Sequence, residues 1–146
     1  MLLFTLFAAA TLAQAAPTAW THDVPMAQGD SQATASYRAL PRVKTRQVGM
    51  SAGTRPSSLR CDWTAAIGVE RHLSYAGKIA SSVRQLSAEK TFKGSRPGDC
   101  AANRRNIDAD LASRSDAINA HLMSVAEQDQ RELRAEIDTL APPMGR

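Results

Sequence analysis

The chain has 146 residues and a formal net charge of +4, and its aromatic side chains are limited to three Phe, two Tyr and two Trp. This length allows one domain of ordinary size, and the shortage of large side chains restricts the core that the domain can build. The sequence contains no glycine-rich phosphate loop, nucleophile elbow or metalloprotease helix. It therefore lacks the common motifs of nucleotide-binding proteins and hydrolases.

Residues 1–15 have the pattern of a secretory signal peptide. An apolar run from Leu2 to Leu12 is followed by Ala13-Gln14-Ala15, which is a small-x-small cleavage site. The run is shorter than the roughly twenty apolar residues that a membrane-spanning helix needs. We therefore predict a periplasmic or secreted protein with no transmembrane segment after signal removal.

Residues 16–58 are rich in Ala, Thr, Ser, Gln, Gly and Pro, and they show neither helical nor strand periodicity. Their few, small apolar residues predict a disordered tether, because little burial would offset the entropy of ordering. The basic residues of this tether occur without an intervening acid; they are Arg38, Arg42, Lys44, Arg46, Arg55 and Arg60. Such a run is compatible with a solvated linker or with attraction to an anionic surface such as lipopolysaccharide, acidic glycan or nucleic acid.

The next segment alternates apolar and polar residues. Cys61, Trp63, Ala65, Ile67 and Val69 occupy every second position, which is typical of a half-buried strand. The pattern predicts a β-hairpin at about 60–93 that turns near residues 75–78. A weaker helical periodicity in the same region, interrupted by two glycines, leaves an all-α helical hairpin as the alternative fold.

A long amphipathic helix is predicted at about 100–140, with Asp99 as its N-cap. Its apolar stripe is interrupted by one polar residue, Asp129, and residues 124–127 have the spacing of a capping box. Together these features suggest a break near 124–129. A continuous helix of this length would measure about 60 Å, which is more than a two-stranded hairpin can cover. The folded domain would span 59–141, followed by a tail at 142–146.

The helix therefore either folds back or packs on another molecule. In the second case its apolar stripe would be an interaction face for a homodimer or an envelope protein partner. The residues of this predicted interaction face are Ile118, Leu122, Val125, Leu133, Ile137 and Leu140.

The chain contains two cysteines, Cys61 and Cys100. In an exported chain with no cysteine left over, they predict a disulfide that joins the hairpin to the helix. The alternative is a reactive Cys100 thiol at a helix N-terminus, where the dipole lowers the thiol pKa. No C-x-x-C motif and no neighbouring histidine supports that alternative.

Glu70, His72 and His121 are the only residues that suggest a metal site, and their spacing matches no known signature. The sequence thus predicts no catalytic residue, no metal, no cofactor and no specific nucleic-acid partner. The α+β fold is expected to belong to an exported, non-enzymatic binding or assembly module that uses the helix stripe. Binding of an anionic envelope polymer through the basic residues is the alternative, and a small metal-dependent enzyme is a weaker one.

Overall fold

A computed structural model describes residues 20–28, 31–51, 53–54, 57–75 and 78–140. The predicted signal peptide at 1–15 and the tail at 142–146 lie outside the described residues, as does Arg55 of the predicted tether.

The described residues form a four-stranded antiparallel sheet followed by two helices, so the predicted α+β class is confirmed. The strands pair in chain order, and each is joined to the next as in a meander. They are β1 (Thr21–Gln28), β2 (Ser31–Val48), β3 (Arg60–Tyr75) and β4 (Lys78–Pro97). The predicted hairpin corresponds to β3 and β4, whereas the helical alternative for this region is wrong.

The prediction of a disordered tether at 16–58 is wrong for residues 21–28 and 31–48, which are β1 and β2. In β2 the small apolar residues Ala33, Ala35 and Ala39 alternate with more exposed residues, and all three are buried. Pro25 and Pro41 are compatible with these strands, because neither lies where its missing N–H group would have to donate a hydrogen bond to a neighbouring strand. Pro25 lies in an edge strand, and Pro41 lies beyond Arg38, the last residue of β2 in register with β1.

The helices α1 (Arg104–Ala112) and α2 (Ser115–Leu140) lie on one side of the sheet, which we call the inner face. Strand β3 supplies the centre of the core, since alternate residues from Cys61 to Leu73 are buried there. The helix stripe is buried against them. Because strands of 18 to 20 residues extend about 60 Å, the sheet is long enough to cover the stripe from Ile107 to Ile137, and Leu140 at its end is exposed.

The helices are interrupted at Ser113 and Arg114, so the predicted break near 124–129 is wrong. The Arg114 guanidinium lies 5.3 Å from the ring centroids of both Trp63 and Phe92. Its Nη2 atom also donates a hydrogen bond to the Lys93 carbonyl at 3.3 Å. These contacts fix the junction between α1 and α2 to β3 and β4, and a cation held between two aromatic rings stabilises it.

The segment that joins β4 to α1 is held by the predicted disulfide, which is confirmed: Cys61 and Cys100 are bonded, with Cα atoms 4.9 Å apart. Asp99 Oδ1 accepts hydrogen bonds from the backbone N–H groups of Ala101 and Ala102, at 2.7 and 3.3 Å. Asp99 therefore caps a turn at 100–103, and the helix proper begins four residues later than Cys100.

We predict that loss of the disulfide lowers the free energy of unfolding by about 4 kcal/mol, because the bond closes a loop of 39 residues in the unfolded chain. Denaturant unfolding of the oxidised protein, the reduced protein and the C61A/C100A variant measures this difference. The double variant is the control for the reductant itself, since its unfolding curve must not change when reductant is added. Equal midpoints for oxidised and reduced wild-type protein would contradict the prediction.

Candidate functional site

The two faces of the sheet differ in their covering. The inner face packs against the helices, whereas no element of the described residues covers the opposite face, which we call the open face. Side chains of β2 on this face are largely exposed: the Arg42 and Arg46 side chains retain 70% and 79% of their accessible surface. The open face is therefore the face of the sheet that is accessible to another molecule.

Basic residues of the predicted tether are brought together on the open face. Arg38, Arg42, Lys44 and Arg46 lie at even positions of β2, and even positions of this strand share one face. Arg60 stands at the start of β3, in register with Val48 at the end of β2. A sequence run that looked like a flexible charged linker is thus a fixed row of cations, and only the alternation of β2 could have shown it.

The middle of the open face is flat because β3 presents small side chains there. Thr64, Ala66 and Gly68 follow one another at alternate positions. Arg42 extends across this part of β3 and forms an ion pair with Glu89 of β4 at 3.5 Å. The open face is thus shallow along the small side chains of β3, which we call its floor, and carries a row of basic side chains along β2.

One end of the open face carries an excess of positive charge. We call this the basic end, and its cations are Arg42, Lys44, Arg46, Arg60 and Lys93. Its carboxylates are Asp62 and Glu89, so cations outnumber carboxylates by five to two.

Asp62 is the carboxylate most closely surrounded at the basic end. It accepts hydrogen bonds from Ser95 Oγ at 2.8 Å, Arg60 Nε at 2.9 Å and Arg46 Nη2 at 3.3 Å. The Ser95 hydroxyl, together with the two guanidinium groups, lowers the pKa of the Asp62 carboxyl below its ordinary value. Asp62 is therefore ionised at neutral pH and fully occupied by these three donors.

The three residues that suggested a metal site do not meet. Glu70 and His72 lie on the open face and are hydrogen-bonded to each other. His121 lies on α2, on the other side of the sheet, where its Nε2 atom is buried without a hydrogen-bond partner among the described residues. Within the same part of the chain, no group of three or more His, Cys, Asp or Glu side chains is placed to hold a metal ion.

Burial keeps His121 neutral. The pKa of its imidazole is lowered below the ordinary value of 6.5, chiefly because burial penalises the charged form and secondarily because Lys90 is near.

The predicted interaction face on the C-terminal helix is not free. Ile118, Leu122, Val125, Leu133 and Ile137 are all at most 4% exposed, and they belong to the core that packs on the sheet of the same chain. Only Leu140 of the predicted set is exposed. The premise that the chain cannot cover its own stripe is wrong, because it assumed two strands where the sheet has four.

A buried charge cluster, which the sequence did not reveal, fixes α2 to the inner face. Arg71 of β3 is completely buried; its Nη1 atom donates to Asp129 Oδ2 at 2.5 Å and its Nη2 atom pairs with Glu136. The Tyr37 hydroxyl donates to the same Asp129 oxygen at 2.9 Å. Burial, and secondly the bond to Asp129, raise the pKa of the Tyr37 hydroxyl, so it remains a donor across the physiological range.

Comparison of the chain with protein-family models, with curated protein sequences and with solved structures found no match. Neither helix in the described part of the chain has a stretch long and apolar enough to cross a membrane.

We predict that R71M lowers the free energy of unfolding by about 3 to 5 kcal/mol, because the substitution leaves the Asp129 carboxylate buried without its cation. The matched control is R84M. Arg84 is in register with Arg71 on β4, but its ion pair with Glu132 is about half exposed, so its loss is expected to cost at most about 1 kcal/mol.

Denaturant unfolding of the two variants provides the comparison. The double variant R71M/D129L removes both buried charges and is expected to be more stable than R71M alone. Similar losses for R71M and R84M, or a double variant less stable than R71M, would show that the buried pair does not determine how α2 is held.

Proposed function

We propose that this is an exported, non-enzymatic protein that binds an acidic polymer through the open face of its sheet. The observation that supports this proposal best is the basic end, where five cations face solvent beside two carboxylates on a face that no described element covers. Clustered positive charge of this kind attracts polyanions from a distance and retains them by releasing their counterions.

The shape of the open face supports an extended ligand over a compact one. Thr64, Ala66 and Gly68 give this part of β3 a low profile. The Arg42 side chain crosses it to reach Glu89, and this exposed ion pair can be exchanged for an acidic group of the polymer. The cations of β2 follow this floor at intervals of two residues, about 7 Å, and can therefore contact successive charged groups.

Export is supported by the disulfide, since such bonds persist in oxidising compartments. The signal-peptide pattern at 1–15 favours a periplasmic or secreted location independently, because such a segment directs export. Non-enzymatic binding is favoured because the three residues that suggested a metal site are apart: Glu70 and His72 lie on the open face, whereas His121 lies on α2 on the other side of the sheet.

We predict that fluorescein-labelled dextran sulfate binds the protein with an affinity that falls roughly a hundredfold between about 50 and 200 mM NaCl, as expected for about four phosphate-like contacts. The variant R42Q/K44Q/R46Q should weaken binding at least tenfold at the lower salt concentration. It should also reduce the slope of log affinity against log salt by about three, because three contacting cations are lost.

The matched control is R105Q/R131Q/R134Q, which removes three exposed cations from the helices and changes the net charge by the same amount. Fluorescence anisotropy measures the affinities, and thermal unfolding verifies that both variants fold. If the two triple variants lose affinity equally, binding depends on net charge alone and the proposed surface is wrong.

A further inference from the structure

Three side chains of the open face lie in one row across three neighbouring strands. Lys44 of β2 is in register with Thr64 of β3, and Thr64 is in register with Lys93 of β4. Because neighbouring strands are about 4.8 Å apart, the backbones of the two lysines are separated by about 10 Å. Their four-carbon stems allow both ammonium groups to approach the same point above the Thr64 hydroxyl.

This row forms one side of a groove. The cavity has a volume of about 440 Å³, and Arg46 and Asp62 of the adjacent row line it together with the three residues. Its lining also includes Thr45, Trp63 and Gly94, whose positions between the two rows place their backbone on the floor. The groove thus has cations at both ends of one wall and a hydroxyl between them.

Neither lysine has an acidic partner among the described residues. The nearest carboxylate in the groove, Asp62, is occupied by Arg46, Arg60 and Ser95. The ammonium groups of Lys44 and Lys93 are therefore available to an anion, and binding one would relieve their mutual repulsion.

We infer that Lys44, Thr64 and Lys93 form a subsite for a phosphate or sulfate monoester group; this inference rests on the proposed function and names the charged group of the polymer. Two ammonium ions supply charge from opposite sides, and the hydroxyl supplies a directed hydrogen bond to one oxygen. An ammonium group is a compact point charge with three rotatable donors. Two of them can therefore bind a tetrahedral oxyanion from different directions, without the planar fork by which a guanidinium binds carboxylate or phosphate.

The test compares wild-type protein with T64V, which removes the hydroxyl but keeps the charge and the β-branched shape. The matched control is T91V on β4, the same change in the adjacent row of the open face, opposite Ala66. We expect dextran sulfate to bind wild-type protein at least tenfold more tightly than polyglutamate of equal length does at the same ionic strength. T64V should bind dextran sulfate about fivefold more weakly than wild-type protein and should bind polyglutamate with unchanged affinity. T91V should bind both polymers as wild-type protein does.

The variant K44Q/K93Q should abolish the preference for the sulfated polymer. Titration with inorganic phosphate, followed by amide NMR shifts of Thr64 and Lys93, distinguishes the source of the group. Saturation by inorganic phosphate would support a site for the free anion, and saturation by the polymer alone would support a polymer-borne ester.

The possible failures are separable. If wild-type protein binds neither polymer, the proposed function is wrong and the subsite is wrong with it. If wild-type protein binds both polymers equally through the basic end, and T64V behaves as T91V does, the proposed function stands and the subsite is wrong.

Discussion

The buried ion pair of Arg71 and Asp129 joins the long C-terminal helix to the middle of the sheet. Arg71 is completely buried in the middle of β3, and a buried guanidinium is stable only if carboxylates neutralise it. Helix α2 supplies Asp129 and Glu136 at that point, seven residues apart and therefore on one side of the helix. Apolar packing has no fixed direction, whereas the charge pair favours the one position of α2 at which its carboxylates meet Arg71.

The two faces of the sheet differ in what their side chains contact. The inner face uses the apolar stripe, the Arg71 cluster and the disulfide to hold the helices in place. The open face is consequently free of structural duties at its basic end, where exposed cations contribute little to stability. Substitutions on the open face can therefore alter binding without altering the fold, which makes the proposed surface accessible to mutational analysis.

The sequence predicted those elements whose pattern is local and strong. Alternation from Cys61 to Val69 identified β3, and two cysteines with none left over identified the disulfide. β1 and β2 were missed because their buried residues are mostly alanines, which are too small to mark a strand, and because proline at an edge resembles a loop signal. β2 is stabilised by pairing with β3 and β1 by pairing with β2, and no local pattern displays either pairing.

The candidate surface was predicted in part. The basic residues were recognised by their charge, but their arrangement as a row depends on the β2 register and could not be deduced from a segment that looked disordered. The gap in the helix stripe at Asp129 was also visible, although it was interpreted as a break. Its partner, Arg71, lies 58 residues earlier in the chain, so only the folded structure could bring the two together.

Amide NMR can locate the proposed binding surface, because shift changes report which face of the sheet a bound polymer contacts. With dextran sulfate added to labelled protein, we expect shift changes to concentrate at 42–46, 60–66 and 91–95, on the basic end of the open face. Shift changes concentrated along the outer surface of α2 at 119–134, with the strands unaffected, would contradict this expectation.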